Sequence, residues 1–192
     1  MKKRSPLPEP NDALYRLKRG LSGYVSYLAA CEMNESFSEY LLYEPILRIL
    51  TARGFTVECE VVCPGLQQPK TGDKKRLDFV ARKENLTFAM EVKWAKKTKP
   101  QIDGDLAKLR AYRNQKNASR AYLCVFGRAS CITKLKMPQG LREQGRCLIA
   151  DFGKTKFGCR IYEIAESGSR GVFSPGPHTT QRAGPHWAVP KD

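Results

Sequence analysis

From residue 12 to residue 33 the apolar positions Leu14, Leu17, Leu21, Val25 and Leu28 recur every three or four residues, the spacing that gathers side chains on one face of an α-helix. The predicted helix turns Arg16, Lys18 and Arg19 toward solvent, and Gly20 and Gly23 weaken it locally. A second helix is expected from Ser36 or Ser38, either of which can cap it, with Glu39 in its first turn. It continues through Tyr40, Leu41, Tyr43, Leu47, Ile49 and Leu50 to a stop at Gly54. Pro45 interrupts the pattern and leaves two choices: a kink, or a start near Tyr43 with Pro45 in the first turn. The kink is the expected one.

The period then changes to two. Residues 55–62 alternate apolar and polar as a half-buried strand does, and strand patterns follow at 76–82 and 86–94 after a loop at 64–75. A third helix is predicted from Asp103, where Asp103 and Asp105 read as capping residues. Leu106, Leu109, Ala111 and Tyr112 form its dry side, and Lys108, Arg110, Arg113 and Lys116 its wet side. The apolar run 121–126, ended by Gly127, suits a strand covered on both faces. A short helix is expected within 130–144, broken by Pro138 and Gly140, and closing strands at 147–150 and 159–164. Helix, three strands, helix and strand in that order predict an α/β fold, a central mixed β-sheet flanked by helices.

At both ends the pattern stops. Residues 1–11 read as a flexible basic arm, and the Gly-, Pro- and Ser-rich residues 167–192 as a disordered tail, leaving 12–166 as a single domain. No apolar run approaches the ~20 residues a membrane helix needs, and the N-terminus lacks a signal peptide's apolar core. Seven cysteines, at 31, 59, 63, 124, 131, 147 and 159, form no Cys-x-x-Cys pair. They read as reduced thiols of a cytoplasmic protein; His178 and His186, in the tail, offer no second pair of zinc ligands.

Composition adds one fact about partners. With 34 Lys and Arg against 19 Asp and Glu, the chain carries a formal charge of +15, which attracts polyanions; nucleic acid is the leading candidate and an anionic membrane surface the runner-up.

The candidate chemistry sits on two of the predicted strands. Asp78 stands in Arg76-Leu77-Asp78-Phe79-Val80, and thirteen positions later Leu86-Thr87-Phe88-Ala89-Met90 leads into Glu91-Val92-Lys93-Trp94. Side chains alternate along a strand, so Glu91 and Lys93 leave on one face while Met90, Val92 and Trp94 pack on the other. The gap suits a tight hairpin turning at Lys83-Glu84-Asn85. Glu-x-Lys alone occurs by chance in any charged protein, and solvated ion pairs along a strand would explain it. The conjunction with Asp78, the order of elements and the charge make it informative.

Leu77-Asp78 followed by Glu91-Val92-Lys93 resembles the motif of the PD-(D/E)XK nuclease superfamily, and the resemblance in element order extends over residues 36–127. It implies a restriction-endonuclease-like core (αβββαβ) and an Mg²⁺-dependent deoxyribonuclease, endonuclease in type, with Mn²⁺ as substitute. Asp78, Glu91 and the backbone carbonyl of Val92 would hold the cation, and Lys93 would orient or deprotonate water or stabilise the phosphate. Glu44 matches an additional family acid by position only, and Pro45 beside it is able to turn it away. Leu77 replaces the family's proline. Lys96, Lys97 and Lys99, which follow the motif strand directly, are candidate nucleic-acid contacts. DNA is expected before RNA, a homodimer would suit double-strand cleavage, and no membrane association is expected. The rival from another class is a non-catalytic nucleic-acid-binding module that has kept the nuclease fold; a basic structural protein with a fortuitous motif is the third.

The charge generates one prediction by itself. Affinity for nucleic acid should fall steeply as salt rises, because each neutralised phosphate releases counterions. A flat plot of log K against log salt concentration, measured by fluorescence anisotropy, would exclude backbone-dominated binding.

Overall fold

The helical period near the N-terminus becomes α1 (Asn11–Ala30) in the computed structural model, which describes residues 9–33, 37–115, 120–152 and 154–165. Most of the predicted arm and all of the predicted tail therefore lie outside the described residues, as do Ser36 and Lys116. Leu14, Leu17, Leu21, Val25 and Leu28 are all buried. Lys18 departs from the expected wet side: it is 3% exposed, and its ammonium donates to the carbonyl oxygens of Gln144 and, at 2.9 Å, Arg146. Burial lowers its pKa.

The expected kink at Pro45 is not found. A single 3₁₀ turn, Tyr40–Leu42, leads into α2 (Tyr43–Ala52), which makes Pro45 the third residue of the helix. The amide it lacks would have no partner within the helix there, so the first turn accepts it without a break. Residues 39–43 become the entry to α2.

Among the described residues seven strands form one mixed sheet: β1 (Thr56–Val62), β2 (Arg76–Lys83), β3 (Leu86–Trp94), β4 (Arg120–Arg128), β5 (Leu141–Glu143), β6 (Leu148–Ala150) and β7 (Phe157–Ile164). They lie in the order β1-β2-β3-β4-β7-β5, with β6 also paired to β7. Only β3 and β4 run parallel, joined by the crossover helix α3 (Asp103–Arg113). The helix expected within 130–144 shrinks to α4 (Ala129–Ile132). Leu141 pairs with Ile164 instead, as β5 takes an edge of β7. β4 also continues through Gly127 to Arg128, past its expected end.

Two cores cover the sheet. On one face α1, the 3₁₀ turn and α2 bring Leu17, Leu42 and Ile46 onto Phe79, Phe88, Met90, Val92 and Tyr122. On the other, Leu106 and Leu109 of α3 meet Val80, Ala89, Leu123 and Val125. β3 shows the predicted alternation, with Phe88, Met90 and Val92 toward α1 and α2 and the intervening residues toward α3. Trp94 packs edge-on against Phe126, ring centres 4.8 Å apart. No helix among the described residues is long and apolar enough to cross a membrane.

The contact between β3 and β4 admits no side chain at Gly127. An added Cβ would lie 2.7 Å from the carbonyl oxygen of Ala95, in backbone fixed by the Ala95 amide donating to the Phe126 carbonyl at 2.8 Å. Gly127→Ala is expected to destabilise the fold by about 1–3 kcal/mol, read as a lower urea midpoint at unchanged slope.

Candidate active site

β2 and β3 pair from Lys83 opposite Leu86 as far as Phe79 opposite Met90, where their ladder ends while β3 continues to Trp94 along β4. Asp78 stands at this fork. Its Oδ2 accepts the amide hydrogen of Val92 at 2.7 Å, so a side chain replaces the rung that the departing strand no longer supplies. Its own amide donates to Glu91 Oε1 at 3.3 Å. The two acids of the motif are thus brought side by side, thirteen positions apart in sequence.

Neighbouring elements complete the cluster. The hydroxyl of Tyr43, in the first turn of α2, lies 2.8 Å from Asp78 Oδ1 and 3.0 Å from Glu60 Oε1; its one proton can be donated to either carboxylate. Glu60 interrupts β1 with a left-handed backbone (φ 54°), a conformation that costs a non-glycine residue about 1–2 kcal/mol. From α3, Lys108 forms an ion pair with Glu91 Oε2, donates to the carbonyl of Arg76 at 2.9 Å and approaches Asp105 at 3.7 Å. Lys93, on the same face as Glu91 as expected, lies 3.4 Å from Glu39 and 3.6 Å from Asp105. Glu39 also accepts the amide hydrogen of Trp94 at 3.0 Å.

Four residues occupy places the sequence did not suggest. Glu44 is exposed and paired with Arg48 on the outer side of α2, so it is not among the acids brought together. The upstream acid that reaches the motif is Glu39, which precedes the 3₁₀ turn. The reading with Pro45 in the first turn carried that signal, because it makes 39–43 the segment that enters the sheet. Asp105 does not cap α3, whose N-cap is Ile102 without a side-chain hydrogen bond; it bridges Lys93 and Lys108. Lys108 turns inward rather than lying on a solvated helix face, and nothing in the sequence separates it from Arg110. Lys96, Lys97 and Lys99 are all exposed beyond the end of β3.

Burial decides the electrostatics. Glu91 is 1% exposed, and loss of solvent together with the adjacent Asp78 raises its pKa to about 9, against the opposing pull of Lys108. Asp78 is raised too, by burial, which the Val92 amide and Tyr43 only partly offset. For Lys93 and Lys108 burial acts to lower the pKa, but Asp105 and Glu39 around the first and Glu91 beside the second outweigh it, and both are raised. The ion pair therefore pulls in two directions: Lys108 is held as an ammonium while Glu91 remains short of positive charge. Of the two tendencies the proton demand of Glu91 dominates, since its carboxylate is almost wholly buried and Lys108 keeps some contact with water.

The donor chemistry fits a hard divalent cation. Asp78 and Glu91 present oxygen ligands short of positive charge, each with lone pairs beyond those engaged, and Lys108 already places a cation against Glu91 and a backbone carbonyl. Among the described residues no group of three or more His, Cys, Asp or Glu side chains is arranged to hold a metal. Two carboxylates, a main-chain carbonyl and water suit Mg²⁺, which retains several of its waters. A cleft of about 440 Å³ opens onto the cluster, lined among others by Tyr40, Glu60, Lys75, Asp78, Asp105 and Lys108.

Compared with known proteins, the chain matches no protein-family model, no curated protein and no solved structure.

A carboxyl whose pKa is higher folded than unfolded stabilises the fold while it is protonated, and that contribution is lost as pH rises through the folded value. For Glu91 the window runs from its ordinary 4.5 to about 9. In chelator, thermal stability should decline across this range, and Glu91→Gln should remove most of the slope. An unchanged slope in that variant would show that Glu91 ionises freely in the fold.

Proposed function

We propose that this chain is an Mg²⁺-dependent nuclease that hydrolyses phosphodiester bonds of DNA, endonuclease in type, built on a restriction-endonuclease-like core. The observation that carries the reading is that Asp78 and Glu91 stand side by side at the fork between β2 and β3, with Lys93 linked to them through Asp105 and Lys108. The order α2, β1, β2, β3, α3, β4 supports it, and so does the charge of +15.

Asp78 and Glu91 would hold the cation together with the Val92 carbonyl. When bound, the cation lowers the pKa of a water and neutralises charge on the scissile phosphate. The chain's own residues do the rest. Tyr43 and the Val92 amide fix the rotamer of Asp78 by holding both of its oxygens. Glu39 and Asp105 hold Lys93 from two sides and keep it protonated, which favours an electrostatic role over that of a base. Its ammonium is suited to stabilise the extra negative charge of the pentavalent phosphate. Lys108 keeps Glu91 from standing as an uncompensated buried charge before the cation arrives.

One observation favours a second reading. Because Lys108 already pairs with Glu91, the cluster is also coherent as a structural ion network of the kind a non-catalytic DNA-binding module that kept the fold would carry.

Labelled DNA incubated with and without Mg²⁺, alongside Mn²⁺ titration calorimetry, separates the two. Asp78→Asn should lose both metal binding and cleavage. Lys93→Ala should retain metal affinity within a few-fold while cleavage falls by about 100-fold or more, as loss of one donor to a transition-state charge does. A Lys93→Ala variant as active as the parent would remove Lys93 from the mechanism. Absence of any Mg²⁺-dependent cleavage, with DNA binding intact, would establish the module.

A further inference from the structure

Tyr40 is 73% exposed, the largest exposure among the described large apolar side chains, and it stands on the wall of the cleft that contains Asp78. Its position is fixed from behind. Its ring lies 5.3 Å from that of Tyr43 at a tilt of 51°. Tyr43 in turn packs on Phe79 at 4.7 Å and reaches Asp78 with its hydroxyl. The 3₁₀ turn Tyr40–Leu42 holds the ring between Glu39, which is tied to Lys93 and Trp94, and Leu42, which is fully buried. An aromatic ring backed by Tyr43 is thus presented to solvent, one ring removed from a site carboxylate. Single exposed aromatics are common and need no explanation; the company of this one is different. Lys74, Lys75 and Arg76 line the same cleft and are exposed, so a strand of phosphates has cationic partners beside a stacking surface. That pairing of basic groups with an open aromatic face is what binds unpaired nucleotides, since every base has a π-face and stacks without regard to sequence. In a duplex both faces of each base are already stacked, and the same ring has nothing to accept.

Building on the nuclease reading above, we propose that Tyr40 is a stacking platform for an unpaired base, and that the preferred substrate is single-stranded DNA or DNA with an unpaired segment at the site, its backbone running past Lys74, Lys75 and Arg76.

The test is binding in chelator, where no cleavage occurs, so the outcome does not depend on whether the chain is an active enzyme. Fluorescence anisotropy would compare a labelled single strand, a blunt duplex of the same sequence, and the single strand with abasic positions. The parent should bind the single strand more tightly than the duplex. Tyr40→Ala should weaken single-strand binding about ten-fold or more, within the range of one base stacked on one aromatic ring, and leave duplex binding within two-fold. Tyr40→Trp should restore the affinity and report contact through quenched indole emission. The abasic strand should erase the difference between the parent and Tyr40→Ala. Equal loss on strand and duplex, single-strand affinity within two-fold of the parent, or no binding of either DNA by the parent would each overturn the proposal. Loss of Mg²⁺-dependent cleavage with these binding differences intact would overturn only the nuclease reading.

Discussion

The hydrogen bond from the Val92 amide to Asp78 Oδ2 is the interaction on which the site depends. A sheet in which β2 and β3 paired to their ends would bury that amide in a main-chain rung and leave no cavity. By accepting it, the Asp78 carboxylate lets the ladder stop at Phe79 and Met90 without an orphaned donor. β3 then follows β4, and the gap opens toward α3 and the entry of α2. The same bond fixes Asp78, so the residue that opens the cavity also lines it. β1 deviates at the same level: Glu60, opposite Asp78 across the next pair of strands, takes a left-handed backbone where the regular pairing is interrupted between Cys59 and Val61. Two adjacent strands thus deviate at one level, and the carboxylates of both meet at Tyr43.

Much of this arrangement was legible because a strand obeys a strict period. Alternation alone puts Glu91 and Lys93 on one face and Met90, Val92 and Trp94 on the other, and the thirteen-residue spacing with a hairpin turn leaves little freedom for where Asp78 lies relative to Glu91. The helical stripe of α1 was legible for the same reason. Placement of helix residues against the sheet was not. Glu39, Tyr43 and Glu44 lie within two turns of one another, and which of them faces the fork depends on where the helix begins. Pro45 determined that, and both choices satisfied local rules. Lys18 and Lys108 show the same limit from the charged side. A lysine at the border of an apolar stripe reads as solvated until a carbonyl pair or a buried carboxylate is found opposite it, and those partners are 126 and 17 positions away.

The contrast between Lys93 and Lys108 shows how one residue type is given two tasks by its surroundings. Lys108 is committed: its ammonium is already held by a carboxylate, a carbonyl and a second acid, and removing it would strand the Glu91 charge. Lys93 meets Glu39 and Asp105 only at 3.4 and 3.6 Å, distances at which Coulomb attraction persists but strong hydrogen bonds do not. Its side chain also retains more contact with solvent, 27% against 19%. A group poised in this way can turn toward an incoming phosphate at small cost, whereas Lys108 cannot leave without a replacement cation. The geometry therefore ties the helix lysine to Glu91 and leaves the motif lysine the more loosely held of the two.

That distinction bears on a conflict built into the chain. Its surface is strongly basic, yet at the fork the acids Glu39, Asp78, Glu91 and Asp105 stand around Lys93 and Lys108, while Lys74, Lys75 and Arg76 line the cleft that opens there. The overall charge draws a polyanion in, and the local charge turns its phosphates away. Binding at the rim needs no resolution of this conflict, because Lys74, Lys75 and Arg76 are exposed and able to take the backbone there. Approach of a phosphate to Asp78 and Glu91 does need one, and a divalent cation between them is the economical form of it. The raised pKa of both carboxyls states the same demand in protons: each is held in a place where it lacks positive charge. A structural ion network gains nothing from leaving that demand unmet. A site that accepted a cation and then a phosphate would use it, which is why the enzyme is proposed ahead of the binding module.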